Sequence, residues 1–144
     1  MNENVKLYQG DCLEVMDKLI AEGIKVDAII TDPPYGTVKN IGNSNCNHGM
    51  TGKTEWDSQI DLSNMWIKSD MLLREKGALI LFSQEPYTSN IISNSHINLP
   101  FSYKNIWVKD HFANSLIAKK APVNYFEEIC VFFSGSMILL TKTH

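Results

Sequence analysis

The chain has little that would staple, anchor or charge it. Its 144 residues hold three cysteines, Cys12, Cys46 and Cys130. They are odd in number, far apart and form no C-x-x-C pair. That argues against a disulfide scaffold or a zinc site and suits a reducing cytoplasm. No apolar run approaches the roughly 20 residues that a membrane helix needs. The opening "MNENVKLYQGD" lacks the basic and then apolar order of a secretory leader. Positive charge is not in excess either: 13 Lys and Arg face 16 Asp and Glu, for a net charge of −3. Attraction to a polyanion must then come from a local patch. There are no internal repeats and no interdomain linker.

What is present is ordinary for one globular domain with a real core: 44% hydrophobic residues and 20% charged. "VKLY" (5–8) reads as a short strand. "DCLEVMDKLIAEG" follows as a helix, with Leu13, Met16, Leu19 and Ile20 at helical spacing and Gly23 as its stop. "KVDAIIT" is apolar without alternation, the mark of a strand covered on both faces. Residues 36–60 are rich in Gly, Asn, Ser and Thr and read as one long loop. "LSNMWIKSDMLLREKG" reads as a helix ended by Gly77, "ALILF" as a buried strand, and "EPYTSNIISNS" as a short helix with Pro86 in its first turn. "FSYKNIWVK", "FEEICVFF" and "SMILLTK" read as further strands. The order predicts an α/β fold with a mostly parallel sheet, in which ligands bind beyond the carboxyl ends of the strands.

At one such end stands "ITDPPYG" (30–36). Asp-Pro-Pro is good turn material and needs no function to explain it. The combination nevertheless has chemical content. Two prolines fix φ and remove two donors, which leaves carbonyls as oriented acceptors. Asp32 adds a carboxylate and Tyr35 a ring. Acceptors beside an aromatic plate suit a flat molecule with an exocyclic amino group, such as an extruded adenine or cytosine.

"TDPPYGT" resembles the catalytic motif of amino-methylating DNA methyltransferases, which use S-adenosylmethionine to methylate adenine N6 or cytosine N4. "WDSQIDLSNMW", "GALILFSQEPYTS" and "NIWVKDHFANSLIAKKAPVNYFEEICVFF" resemble successive segments of phage-type and prophage-type adenine methylases. The likeness covers nearly the whole chain. It implies that Asp32 and the Pro33 carbonyl, held by Pro34, accept from the target amino group while Tyr35 stacks on the base. Asp in the first motif position favours adenine N6 over cytosine N4. "GDC" (10–12) resembles the segment that holds the cofactor's adenine through Asp11; Asp32 would also border the cofactor. For Asp11 a helix N-cap is an equal alternative. Lys109, Lys119 and Lys120 are placed to meet DNA phosphate, or else form a solvated charged turn. Trp66 and Trp107 read as core residues; Trp56 at the loop edge can serve either purpose.

Three departures qualify the likeness. Residues 38–55 look like an insertion. Phe126-Glu127 stands where relatives carry His-Glu. None of the eight glycines forms the G-x-G of the cofactor loop, and the recognition region that follows in such enzymes is absent. The resemblance therefore implies an incomplete Rossmann-like methyltransferase fold, residues 1–144 forming one catalytic half with helices on both faces of the sheet. Weak cofactor binding and negligible turnover are expected of the chain alone, with self-association or a complementing C-terminal half as partner. The rival is a non-catalytic prophage remnant, or half of a split methylase, that binds DNA or a partner without turnover. "NHGMTGKT" (47–54) is a near miss to a phosphate-binding loop, with Asn47 where the first glycine belongs. Cys46 and His48 lack further paired ligands, and His96, His111 and His144 read as surface residues.

Overall fold

The computed structural model describes residues 4–35, 60–113 and 123–135. All but Ile60 of the loop expected at 36–60, Lys119 and Lys120, the strand expected in "SMILLTK", and Cys46, His48, Trp56 and His144 lie outside the described residues. The described elements are α1 (Cys12–Ala21), β1 (Val26–Thr31), α2 (Leu62–Leu72), β2 (Leu73–Ser83), α3 (Tyr87–Ser93), β3 (Phe101–Ala113) and β4 (Asn124–Phe133). None of the described helices is long and apolar enough to cross a membrane.

Local chemistry sets the ends of the helices. Asp11 caps α1, and Asp61 caps α2 by accepting from the Asn64 amide at 3.1 Å. Gly23, at φ +69°, ends α1: its amide bonds Ile20 O at 2.9 Å and the Ile24 amide bonds Leu19 O at 3.0 Å. This paired closure needs a left-handed residue, which glycine adopts without strain. The second helix stops earlier than its spacing predicts. It ends at Leu72, and Leu73 already belongs to β2. Gly77 is thus not a helix stop. A Cβ there would lie 2.9 Å from Arg74 O and 3.1 Å from Asp27 O, so glycine permits β2 to close against β1. Residues 5–8 form no strand. Val5 and Leu7 are exposed, and no described strand pairs with them to supply the ladder bonds a strand requires.

The four strands lie in the order β1-β2-β4-β3. β1 and β2 are parallel, while β4 runs antiparallel to both β2 and β3. The α/β class stands, but the sheet is mixed where a mostly parallel one was expected. The reason is the connection: β3 ends at Ala113 and β4 begins at Asn124, too few residues apart for the crossover of about a dozen or more that parallel pairing requires.

The core lies on one face of the sheet. Leu79 and Leu81 of β2 and Cys130 and Phe132 of β4 are fully buried there, under Met65 and Trp66 of α2 and Tyr87 and Ile91 of α3. Leu13 of α1 packs against the same cluster. The three described helices thus serve this one face. The other face carries Ala28 and Ile30, Ala78, Ile80 and Phe82, and Ile129, Val131 and Phe133, by the strand register. Val131, flanked by Ile80 and Tyr103, is buried, but Ile30 is 66% exposed. β1 is therefore not covered on both faces, as its apolar run predicted. Trp66 is a core residue; Trp107 is not. Trp107 sits on the open face of an edge strand, half-exposed, with its ring edge-on to Phe82 at 5.8 Å.

Candidate active site at the carboxyl edge of the sheet

The register brings three elements to one edge. Thr31 at the end of β1 lies beside Leu81, and Ser83 at the end of β2 lies opposite Glu128 of β4. Residues 32–35 leave the sheet at this edge, next to the start of α3. Asp32 is exposed, Pro33 buried, and Pro34 and Tyr35 half-buried. The prolines prevent both positions from donating to a neighbouring strand, so the chain turns out of the sheet here.

The motif is internally bonded. The Tyr35 hydroxyl donates to Asp32 Oδ1 at 2.7 Å. Its ring stacks on Tyr87, the first residue of α3, with centroids 5.2 Å apart and planes at 26°. Burial raises the Tyr35 phenol well above its ordinary pKa, helped by the hydrogen bond to Asp32 and by the charges of Asp32 and Glu127. An ionised phenol could not donate to that carboxylate, so its proton is held in place. Burial pushes the Tyr87 phenol up to about 12. Chemically the edge offers a carboxylate fixed by a phenol, a rigid Pro-Pro backbone and two aromatic plates.

The other expected site residues occupy different settings. Asp11 is the cap of α1: Oδ1 accepts from the amides of Leu13 at 2.9 Å and Glu14 at 3.2 Å. Lys109 forms an ion pair with Glu127, and its ammonium stands over the Trp107 ring, 5.1 Å from the centroid. A phosphate would have to compete with that carboxylate. His96 lies 3.9 Å from Asp70, and His111 is well exposed beside Asp110. Among the described residues no cluster of three candidate metal ligands occurs.

Behind the edge lies a buried polar layer. Thr88 Oγ1 donates to Ser83 Oγ at 2.9 Å, tying α3 to the end of β2. Glu128 is buried and paired with Lys104. Burial works against its charge, but hydrogen bonds from Lys104 and Thr88 and the charge of Lys104 together outweigh it and hold the carboxyl below its ordinary range. Sequence reasoning missed Tyr87 and the reach of Glu127 to Tyr35. Both are remote from the motif in the chain; no local pattern marks Tyr87, and Glu127 is marked only by the likeness of Phe126-Glu127 to the His-Glu of relatives.

No family model matches the chain. It is similar to the type II methyltransferase M.BamHI of Bacillus amyloliquefaciens, with 28% identity over 122 residues, which are 83% of this chain and 27% of that protein. In structure it is similar to M1.HpyAVI, with a TM-score of 0.62 and 22% identity over 89% of this chain and 54% of that one. A second structure, the M1.HpyAVI-SAM complex, gives a TM-score of 0.59 and 20% identity over 89% and 55%. The chain thus spans about a quarter of the curated relative and about half of the solved ones. These likenesses establish a methyltransferase-type α/β fold and a distant relationship to a type II methyltransferase.

Proposed function

We propose that residues 1–144 form the catalytic half of a DNA methyltransferase that acts on adenine N6, with Asp32, Pro33, Pro34 and Tyr35 receiving the base. The observation that carries this is the placement of Asp32 and Tyr35, bonded to one another at the carboxyl end of β1. Asp32 and the Pro33 carbonyl accept from the target amino group. These bonds strengthen as the nitrogen pyramidalises, so they stabilise the transition state more than the ground state. Tyr35 stacks on the extruded base, worth about 1–3 kcal/mol. The cysteines have no nucleophilic part.

S-adenosylmethionine would supply the methyl group. The residues here fit only one end of it. Asp11, whose Oδ1 caps α1, would offer its other carboxylate oxygen to the adenine amine, and Asp32 stands at the carboxyl end of β1. The glycine turn that would approach the methionine end is not in the sequence, where no G-x-G occurs. In-line transfer depends on aim, and effective molarities from positioning are worth about 7–11 kcal/mol. The chain alone should therefore bind the cofactor weakly and turn over negligibly. Lys109, Lys119 and Lys120 are the proposed phosphate contacts; Lys109 must exchange Glu127 for phosphate.

A second reading is favoured by the exposure of Ile30, 66%, on β1 at the edge of the described sheet. Apolar surface on an edge strand suits self-association or a complementing C-terminal half. On this reading the chain binds a partner or DNA without turnover, as a prophage remnant or half of a split enzyme would.

The test is methyl transfer from labelled S-adenosylmethionine to adenine-containing duplex. It compares the chain alone with the chain joined to a methyltransferase half that carries the glycine turn. Label on adenine N6 is expected only in the completed enzyme. Asp32→Ala should remove most of that turnover and leave cofactor affinity within a few-fold. Label on cytosine N4 would change the base assignment, and equal turnover by Asp32→Ala would overturn the site. Efficient methylation by the monomeric chain would overturn the half-enzyme reading.

A further inference from the structure

We propose that Tyr87 is a positioning residue of the Asp32 site: its buried ring clamps Tyr35, and through Tyr35 it fixes the carboxylate of Asp32. The proposal deepens the methyl-transfer reading and rests on it only for what Asp32 is for. Three observations carry it. The Tyr87 ring is 2% exposed and stacks on Tyr35 at 5.2 Å and 26°. Tyr35 in turn donates to Asp32 Oδ1 at 2.7 Å. Tyr87 is itself anchored: its neighbour Thr88 bonds Ser83 on β2 at 2.9 Å, and Ile91 one turn on is fully buried in the core.

The physical need is plain. Asp32 is exposed and its carboxylate can rotate. A phenol bonded to it restrains that rotation only as well as the phenol is itself restrained. A half-buried ring past two prolines has no helix or strand of its own to hold it. The stack on Tyr87 transfers the rigidity of β2 and α3 across to the end of β1. The working part of Tyr87 is the plane of its ring. Its hydroxyl is buried with no hydrogen-bond partner among the described residues. Phenylalanine should therefore do the same work, and a branched aliphatic side chain should not.

The test uses the full chain labelled with ¹³C at the tyrosine ζ carbon, with the Tyr35 signal assigned by its loss in Tyr35→Phe. In the parent, that signal should move on acidification, and Asp32→Asn should abolish the movement. Tyr87→Phe should keep the movement. Tyr87→Leu should shrink it by about twofold or more in a chain still folded by near-ultraviolet circular dichroism. An undiminished movement in folded Tyr87→Leu, an equal loss in Tyr87→Phe, or no movement in the folded parent would each overturn the proposal. If Tyr87→Leu does not fold, the parent's own Tyr35 ring decides. With the label moved to the tyrosine ε carbons, a clamped ring flips slowly and gives distinct edge resonances, whereas rapid averaging near room temperature rejects the clamp. Failure of the methyl-transfer reading looks different: the coupling persists while Asp32→Ala leaves turnover of the completed enzyme unchanged.

Discussion

The two faces of the sheet are built from the same strands and meet different fates. Leu79, Leu81, Cys130 and Phe132 point one way and are fully buried. Their immediate neighbours Ile80, Phe82 and Phe133 point the other way and are only partly covered, beside a half-exposed Trp107 and a largely exposed Ile30. Strand periodicity assigns side chains to a face, but it does not say what lies over that face. "ALILF" and "ICVFF" carry apolar residues on both sides, which is the composition of a sheet meant to be covered twice. Within the described residues only one cover is present. The candidate site spans this divide. Tyr87 comes from the covered side, while Asp32 extends from β1, whose Ile30 is largely exposed on the open side.

Substitutions can break or sharpen this contrast. The largest effect should come from Phe132→Ala, which removes a ring packed edge-on to Trp66 at 4.8 Å and to Phe101 at 5.7 Å. A loss of about 3–5 kcal/mol is expected in urea denaturation. Phe133→Ala, one residue along on the open face, should lose clearly less; equal losses would mean that both faces are covered in solution. Next comes Lys104→Met, which leaves the Glu128 carboxylate buried without its cation. Leaving a buried acceptor unsatisfied costs about 1–3 kcal/mol, and partial exposure of Lys104 places this change toward the lower end.

The same pair should show in the pH dependence of stability. The folded carboxyl of Glu128 lies below its ordinary value, so its contribution is present above that value and is lost as pH falls through the folded one. Lys104 is raised by its bond to Glu128, so its contribution is present at neutral pH and is lost as pH rises through its folded value. Glu128→Gln should flatten the acid limb of the stability curve; an unchanged limb would show that the pair does not form. A smaller effect is expected at Asp11→Ala, about 1 kcal/mol from loss of the α1 cap, read by thermal melting. The smallest belongs to Ile30→Thr, within about 0.5 kcal/mol for the chain alone. If a second polypeptide completes the fold beside β1, that same change should weaken the assembly, which sedimentation would detect.

The sequence by itself determined the local structure and the place of the motif. The helical spacing of Leu13, Met16, Leu19 and Ile20 and the stop at Gly23 are short-range features, and α1 forms where they put it. The apolar run before Asp32 made β1 and brought the acid to a strand end. Both results rest on interactions within a few residues. Tertiary structure decided the rest. It paired β3 with β4 in antiparallel order and ended α2 at Leu72. It left 5–8 without a strand and turned Trp107 to the open face. It also gave Lys109 to Glu127 and Tyr35 to Tyr87. Each of these depends on which partner the chain supplies from tens of residues away. Residue spacing does not encode such a choice, because the pairing is settled by competition among distant surfaces for burial. The functional arrangement belongs to this second class: the motif was legible, and the ring that clamps it became visible only when α3 brought Tyr87 to Tyr35.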